Sequence, residues 1–168
     1  MKLFKNHIIA TLILAAALLQ ACTNEPDYKE SRQKVLDLHD KIMIDGERAM
    51  NNKMKLDTLA QTGLSALKKA QPATDTIAIK QQIAVLVKDL DAADDEMNNW
   101  MHAFNADVQG KSNAEASKYF DAEMLKVKKV DSLYKKAIAA SANYLKQYNI
   151  KADTTAGTGM AHHHDMKM

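Results

Sequence analysis

A single cysteine, Cys22, leaves the chain no internal disulfide, so its fold has to rest on burial alone. Two prolines and five glycines in 168 residues are too few for a turn-rich β architecture and suit long helices. Aromatic residues make up only 5%, and the abundance of Ala, Leu, Met and Lys points to helix as well. Charge of one sign is also missing: the formal net charge is +2, with lysines interleaved among acids, so there is no basic stripe of the kind nucleic acid requires. The longest apolar run, Ile8 to Leu19, is too short to span a membrane.

Catalytic signatures are equally scarce. No HExxH, GxSxG or phosphate-cradling glycine loop occurs. Helical di-iron sites need Glu three residues before His, whereas Leu36 precedes His39 and Asn99 precedes His102 at that spacing. Covalent haem needs a cysteine pair; a noncovalent haem held by one Met and one His stays geometrically open. No enzymatic activity is expected.

The N-terminus carries a cell address. Lys2 and Lys5, the apolar run and the small residues before Cys22 have the layout of a secretory signal over residues 1–21. Leu19-Gln20-Ala21-Cys22 resembles a bacterial lipobox, and the resemblance implies cleavage before Cys22 and acylation, palmitate-type, of its sulfur and new amino group. Three acyl chains anchor a protein firmly, since two membrane signals already suffice. Thr23 stands where many inner-membrane lipoproteins carry aspartate, so the analogy directs the protein to the outer membrane, on its periplasmic face or at the cell surface. Glu25, Asp27 and Glu30 loosely match an acidic surface-export tether. The plainer reading is an ordinary signal peptide with an incidental cysteine.

After a tether at 22–27, residues 28–148 read as an all-α, antiparallel up-down-up three-helix bundle with long helices. The first helix runs from about Tyr28 to Lys69. Two neighbouring stripes, Val35, Leu38, Ile42, Ala49 and Leu36, His39, Met43, Gly46, Met50, make a wide apolar band, continued by Leu56, Leu59, Gly63 and Leu67. Asn51-Asn52, two poor helix formers in succession, marks a weak point at which a kink is the alternative to one continuous helix. Pro72 breaks the chain, and Thr74 or Asp75 can cap the second helix, Thr76 to about Asn105. Ile79, Ile83, Leu86, Leu90, Ala93, Met97, Trp100 and Phe104 give this helix an apolar seam at alternating steps of four and three.

Gly110 breaks the next connection, and Ser112 to Glu115 is a capping-box pattern. It opens a third helix reaching about Tyr148, with Phe120, Met124, Val127, Tyr134, Ile138, Leu145 and Tyr148 inward and Asp131 and Ser141 interrupting the stripe. The longer first helix should overhang at its polar start, Tyr28 to Gln33. If it exposes one of its stripes, a helical partner or a second copy could cover it.

Two groups of residues could hold a metal. Residues 149–168 read as a flexible tail in which Met160, His162, His163, His164, Met166 and Met168 place three imidazoles and three thioethers together. Within the bundle, His39 and Met43 are expected level with Met101, His102 and Phe104. Thioether and imidazole suit copper, Cu(I) above all. The plainer readings are a solvated tail and methionines that fill irregular space between helices. Likewise, the acidic run Asp91, Asp94, Asp95, Glu96 reads as a solvated face, and Trp100 as a core anchor whose indole N–H needs a partner.

Leu38 to Met43, Asp94 to Phe104 and the lipobox together resemble a group of small helical lipoproteins of Bacteroidota-type bacteria, over the signal and the first two helices. That resemblance implies an envelope lipoprotein with a helical domain. It supplies no activity and no functional residues, and the tail is not part of it.

Overall fold

Helices form where the apolar spacing predicts them. The computed structural model of the chain describes residues 27–154, which hold helices and their connections and no strand. α1 spans Tyr28–Thr58 and passes through one π-helical turn, Leu59–Gly63, into α2 (Leu64–Ala70). α3 (Thr76–Ala103) and α4 (Asn113–Gln147) follow, so three long rods lie up, down and up. None of the described helices is long and apolar enough to cross a membrane.

Each start is set by a side chain. Asp27 caps α1 by accepting from the Lys29 amide at 3.1 Å, and Asp75, not Thr74, caps α3 by accepting from Ile77 and Ala78, each at 3.0 Å. Ser112 and Glu115 form the reciprocal box at the start of α4. Gly110, at φ +85°, supplies the left-handed turn before it. α3 ends at Ala103 rather than Asn105, because Phe104 turns extended and the Asn105 amide then donates to the Tyr119 hydroxyl at 2.9 Å.

The α3 seam is inward throughout, with Ile83, Leu86, Leu90, Ala93, Met97 and Trp100 buried and Ile79 and Phe104 half-buried at its ends. α4 is the central rod, packed against both neighbours, while α1 and α3 touch each other least and leave an open groove of about 740 Å³ floored by Ile83, Ala84 and Val87.

Of three features of the first rod, one agrees with the single helix expected through Asn51-Asn52 and two differ from expectation. Asn51-Asn52 is no weak point: the helix is continuous there, and Asn52 is fully buried. The discontinuity lies at Leu59–Gly63. Inward residues run Leu56, Leu59 and then Leu64, a step of five that an α-helix cannot keep on one face; the Leu64 amide donates to the Leu59 carbonyl, five residues back, and absorbs the extra residue. Leu64, not Gly63, is therefore the buried side chain. Thr58 and Thr62 donate to the carbonyls four residues back at 2.8 and 2.9 Å, contacts that favour bending at this point. Third, the rod does not overhang at its start. The Tyr28 amide donates to Asn113 Oδ1 at 3.2 Å, so α1 and α4 begin level, and the surplus length falls at α2 instead.

The second α1 stripe is only partly covered. Leu36, His39 and Gly46 are half-buried, but Met43 and Met50 are exposed. The buried line runs instead through Val35, Ile42, Asp45, Ala49, Asn52 and Leu56.

Candidate functional site

Buried polar residues occupy the helix seams in layers. Counting the α1 core line in steps of three and four lands on Asp45 and Asn52; the same count on α4 lands on Glu123 between Phe120 and Val127, and on Ser141. Each has a partner. Glu123 Oε2 accepts from the Trp100 indole at 2.8 Å, and its other oxygen accepts from Lys126 at 2.7 Å. Asp45 pairs with Arg48 one turn along. One helix over, the Tyr134 hydroxyl donates to Asp94 at 2.5 Å. Asp94, read as part of a solvated acidic face, is half-buried. Burial holds its carboxyl above the usual value, aided by repulsion from Asp91 and Asp95, while the Tyr134 bond and Lys53 oppose the rise. The Tyr134 hydroxyl is pushed up by its own burial and by Asp94, so it stays protonated and donating.

Rings collect at the end where α1 and α4 begin. Trp100 lies 4.8 Å from Phe104 and 5.7 Å from His39 between ring centroids, and Phe120 packs 6.2 Å from Tyr28 and 5.1 Å from Tyr119. The expected level of His39 with the end of α3 is thus correct, through Trp100. His39 Nδ1 lies 3.0 Å from Asp40 Oδ1. The other residues named with it, Met43, Met101 and His102, are exposed, and no group of three His, Cys, Asp or Glu side chains placed to hold a metal ion occurs among the described residues.

The third feature is where the chain goes after α4. Asn149, at φ +57°, reverses it, and Ile150 and Ala152 pack on the core. The returning segment runs down α1. Ile150 lies over a groove of about 360 Å³ with Met54, Leu59 and Gly63, and Asp153 is fixed at Asn51 and Asn52. The Asp153 amide donates to Asn52 Oδ1 at 2.8 Å, its carbonyl accepts from Asn52 Nδ2 at 3.3 Å, and its carboxylate accepts from Asn51 Nδ2 at 2.9 Å. Asn52 Nδ2 also reaches Ser141 Oγ at 3.2 Å. The Asn51-Asn52 pair, which propensity marks as a helix weakness, is a clamp.

Within the stretch 149–168, therefore, Ile150, Ala152 and Asp153 are held against the bundle. Cys22 and the donors Met160, His162, His163, His164, Met166 and Met168 lie outside the described residues. Sequence reasoning missed Glu123, Asn52 and Asp153. The first two carry a signal, a polar residue at a core step of an otherwise apolar seam; Asp153 carries none.

This architecture defines an all-α bundle of three long helices with polar layers. No known protein family, no curated protein and no solved structure matches the chain.

Proposed function

We propose that the protein is a lipid-anchored helical binding or structural module of the cell envelope, without enzymatic activity, held at the outer membrane by acylated Cys22. One observation supports this beyond the signal sequence: the bundle begins at Tyr28, stacked on Phe120 and bonded to Asn113, only a few residues after Cys22. An anchor there keeps the aromatic end next to the bilayer and points the rods away from it. Trp100 with Glu123, Asn52 with Ser141 and Tyr134 with Asp94 are bonded across helices, which is the behaviour of groups that fix helix register. Mass spectrometry of the mature protein from membranes tests the anchor: acylated Cys22 is expected, with release to the soluble fraction on Cys22→Ser. An unacylated membrane form defeats the reading. Turnover of an envelope substrate by the purified chain, lost on one point substitution, defeats the non-enzymatic part.

A second reading is binding of a soft metal such as copper by residues 160–168, whose three imidazoles and three thioethers stand within nine residues of one another in the sequence. Titration with Cu(I) against a competing chelator tests it. Affinity no better than millimolar, unchanged on removing residues 160–168, ends it.

A further inference from the structure

The groove of about 740 Å³ between α1 and α3 runs where two long rods touch each other least. Its floor is apolar and its side chains are mostly small: Ile83 and Val87 line it, with Ala60 from the first rod and Ala84 and Ala92 from α3. Ala84 and Ala92 are exposed. Ile77, two turns before Ala84 and so on the same face of α3, is 70% exposed. Apolar surface of this kind, rimmed by charge, marks a place where another surface docks.

One ion pair fixes how the two rims are levelled. Lys53 of α1 bonds Asp91 of α3. The rods run in opposite directions, so equal steps up the first and down α3 stay level: Asp57 comes level with the Val87-Lys88 turn, and Ala60 with Ala84. Each rim therefore carries one cation and one anion, Lys53 then Asp57 opposite Asp91 then Lys88. That pattern complements itself under a two-fold axis laid along the rods. Such an axis keeps every level and sets the α1 rim of one copy against the α3 rim of the other. Lys53 then meets a second Asp91, Asp57 meets a second Lys88, and signs alternate around the axis. An axis across the rods can match these charges only by centring near Asp89, which lays the apolar floor at Ile83 and Ala84 on the acidic stretch from Asp91 to Asp95.

We propose that this groove is the interface between two parallel copies of the chain, which bring α1 and α3 of each together as a four-helix core. Ala60 of one copy packs against Ala84 of the other, where small side chains let the rods approach, and the joint closes over Ile83 and Val87. Lys80 and Asp95, at the two ends of the groove, keep their charges in water. Both Tyr28 ends fall on the same side, the orientation that two chains anchored in one bilayer share. The inference goes beyond the anchor reading and does not need it: the level of Lys53 with Asp91 belongs to the bundle itself, and an unacylated Cys22 would leave the dimer standing.

The test uses the chain from residue 22 onward carrying Cys22→Ser, so that neither lipid nor a thiol contributes, and reads mass by sedimentation equilibrium. A reversible dimer is expected at micromolar concentration. Lys88→Glu in one preparation and Asp57→Lys in another set like charges together in each homodimer, and each should weaken association about tenfold or more with helix content unchanged. Mixed, the two should associate as tightly as the parent, because every altered charge then finds its opposite on the other chain. Damage confined to one chain cannot be repaired by mixing. Should either variant fail to fold, a milder pair serves: Ala60→Cys and Ala84→Cys, made in separate chains and mixed, should join by a disulfide, whereas Lys128→Cys, exposed on α4, should not join Ala84→Cys. A monomer mass up to millimolar concentration overturns the proposal and leaves the groove to another occupant. A dimer that the mixed variants fail to restore overturns it as well, since the copies then meet on a different face or in the opposite orientation.

Discussion

The indole nitrogen of Trp100, the only tryptophan, donates to the buried carboxylate of Glu123 at 2.8 Å. The bond crosses from α3 to α4 and fixes their register where the rings gather. A buried donor left without its acceptor costs about 1–3 kcal/mol. Glu123→Leu should therefore destabilise the fold by about that amount in urea unfolding followed by Trp100 fluorescence. Glu123→Gln keeps an acceptor and should cost less. Equal losses in the two variants would show that the bond is not what the site depends on.

Asn52 offers a sharper test, because it serves two elements. Asn52→Ala removes its bonds to Ser141 and to both backbone groups of Asp153. A loss of about 1–3 kcal/mol is expected, together with faster amide exchange across residues 149–154. Exchange unchanged in that segment would mean that Ile150 and Ala152 hold it without the clamp.

Gly46 sits mid-helix with room for a methyl group: a Cβ there would lie 3.4 Å from the Tyr134 hydroxyl, ordinary contact. Glycine inside a helix costs about 1 kcal/mol relative to alanine. Gly46→Ala should raise the urea midpoint accordingly, whereas Gly46→Leu should lower it by displacing Tyr134 from Asp94.

Asp94 gives a pH dependence of defined sign. Its carboxyl titrates above the ordinary value of 3.8 in the folded chain, chiefly through burial, so the folded state binds that proton more tightly than the unfolded one. The stability it contributes is fully present below the ordinary value and is lost as pH rises through the raised one. Asp94→Asn, which can still accept from Tyr134, should unfold at a higher temperature than the parent at pH 7. The gap should close on acidification toward pH 3.5, below the ordinary value of 3.8. A gap that widens in acid would reverse the assignment.

Much of this architecture is legible in the order of residues alone. The alternating four- and three-residue steps from Ile79 to Phe104 define one face of α3, and Pro72, Asp75, Gly110 and Ser112 mark the breaks and caps, because each acts through backbone chemistry local to its neighbours. The π turn is harder to see, since it arises from a step of five between Leu59 and Leu64 that a fixed helical count smooths over. Steps landing on Asp45, Asn52 and Glu123 look like interruptions; they are core positions filled by polar groups.

Periodicity and local propensity, both properties of neighbouring residues, were enough to settle the number of helices, their approximate ends and the inward face of α3. Which α1 stripe is covered, that Asn51-Asn52 grips Asp153, and that Trp100 meets Glu123 depend on partners up to about a hundred residues apart. Such pairings arise only when three rods settle into one register, because the cost of burying an amide or a carboxylate is met by whichever group the packing brings opposite it.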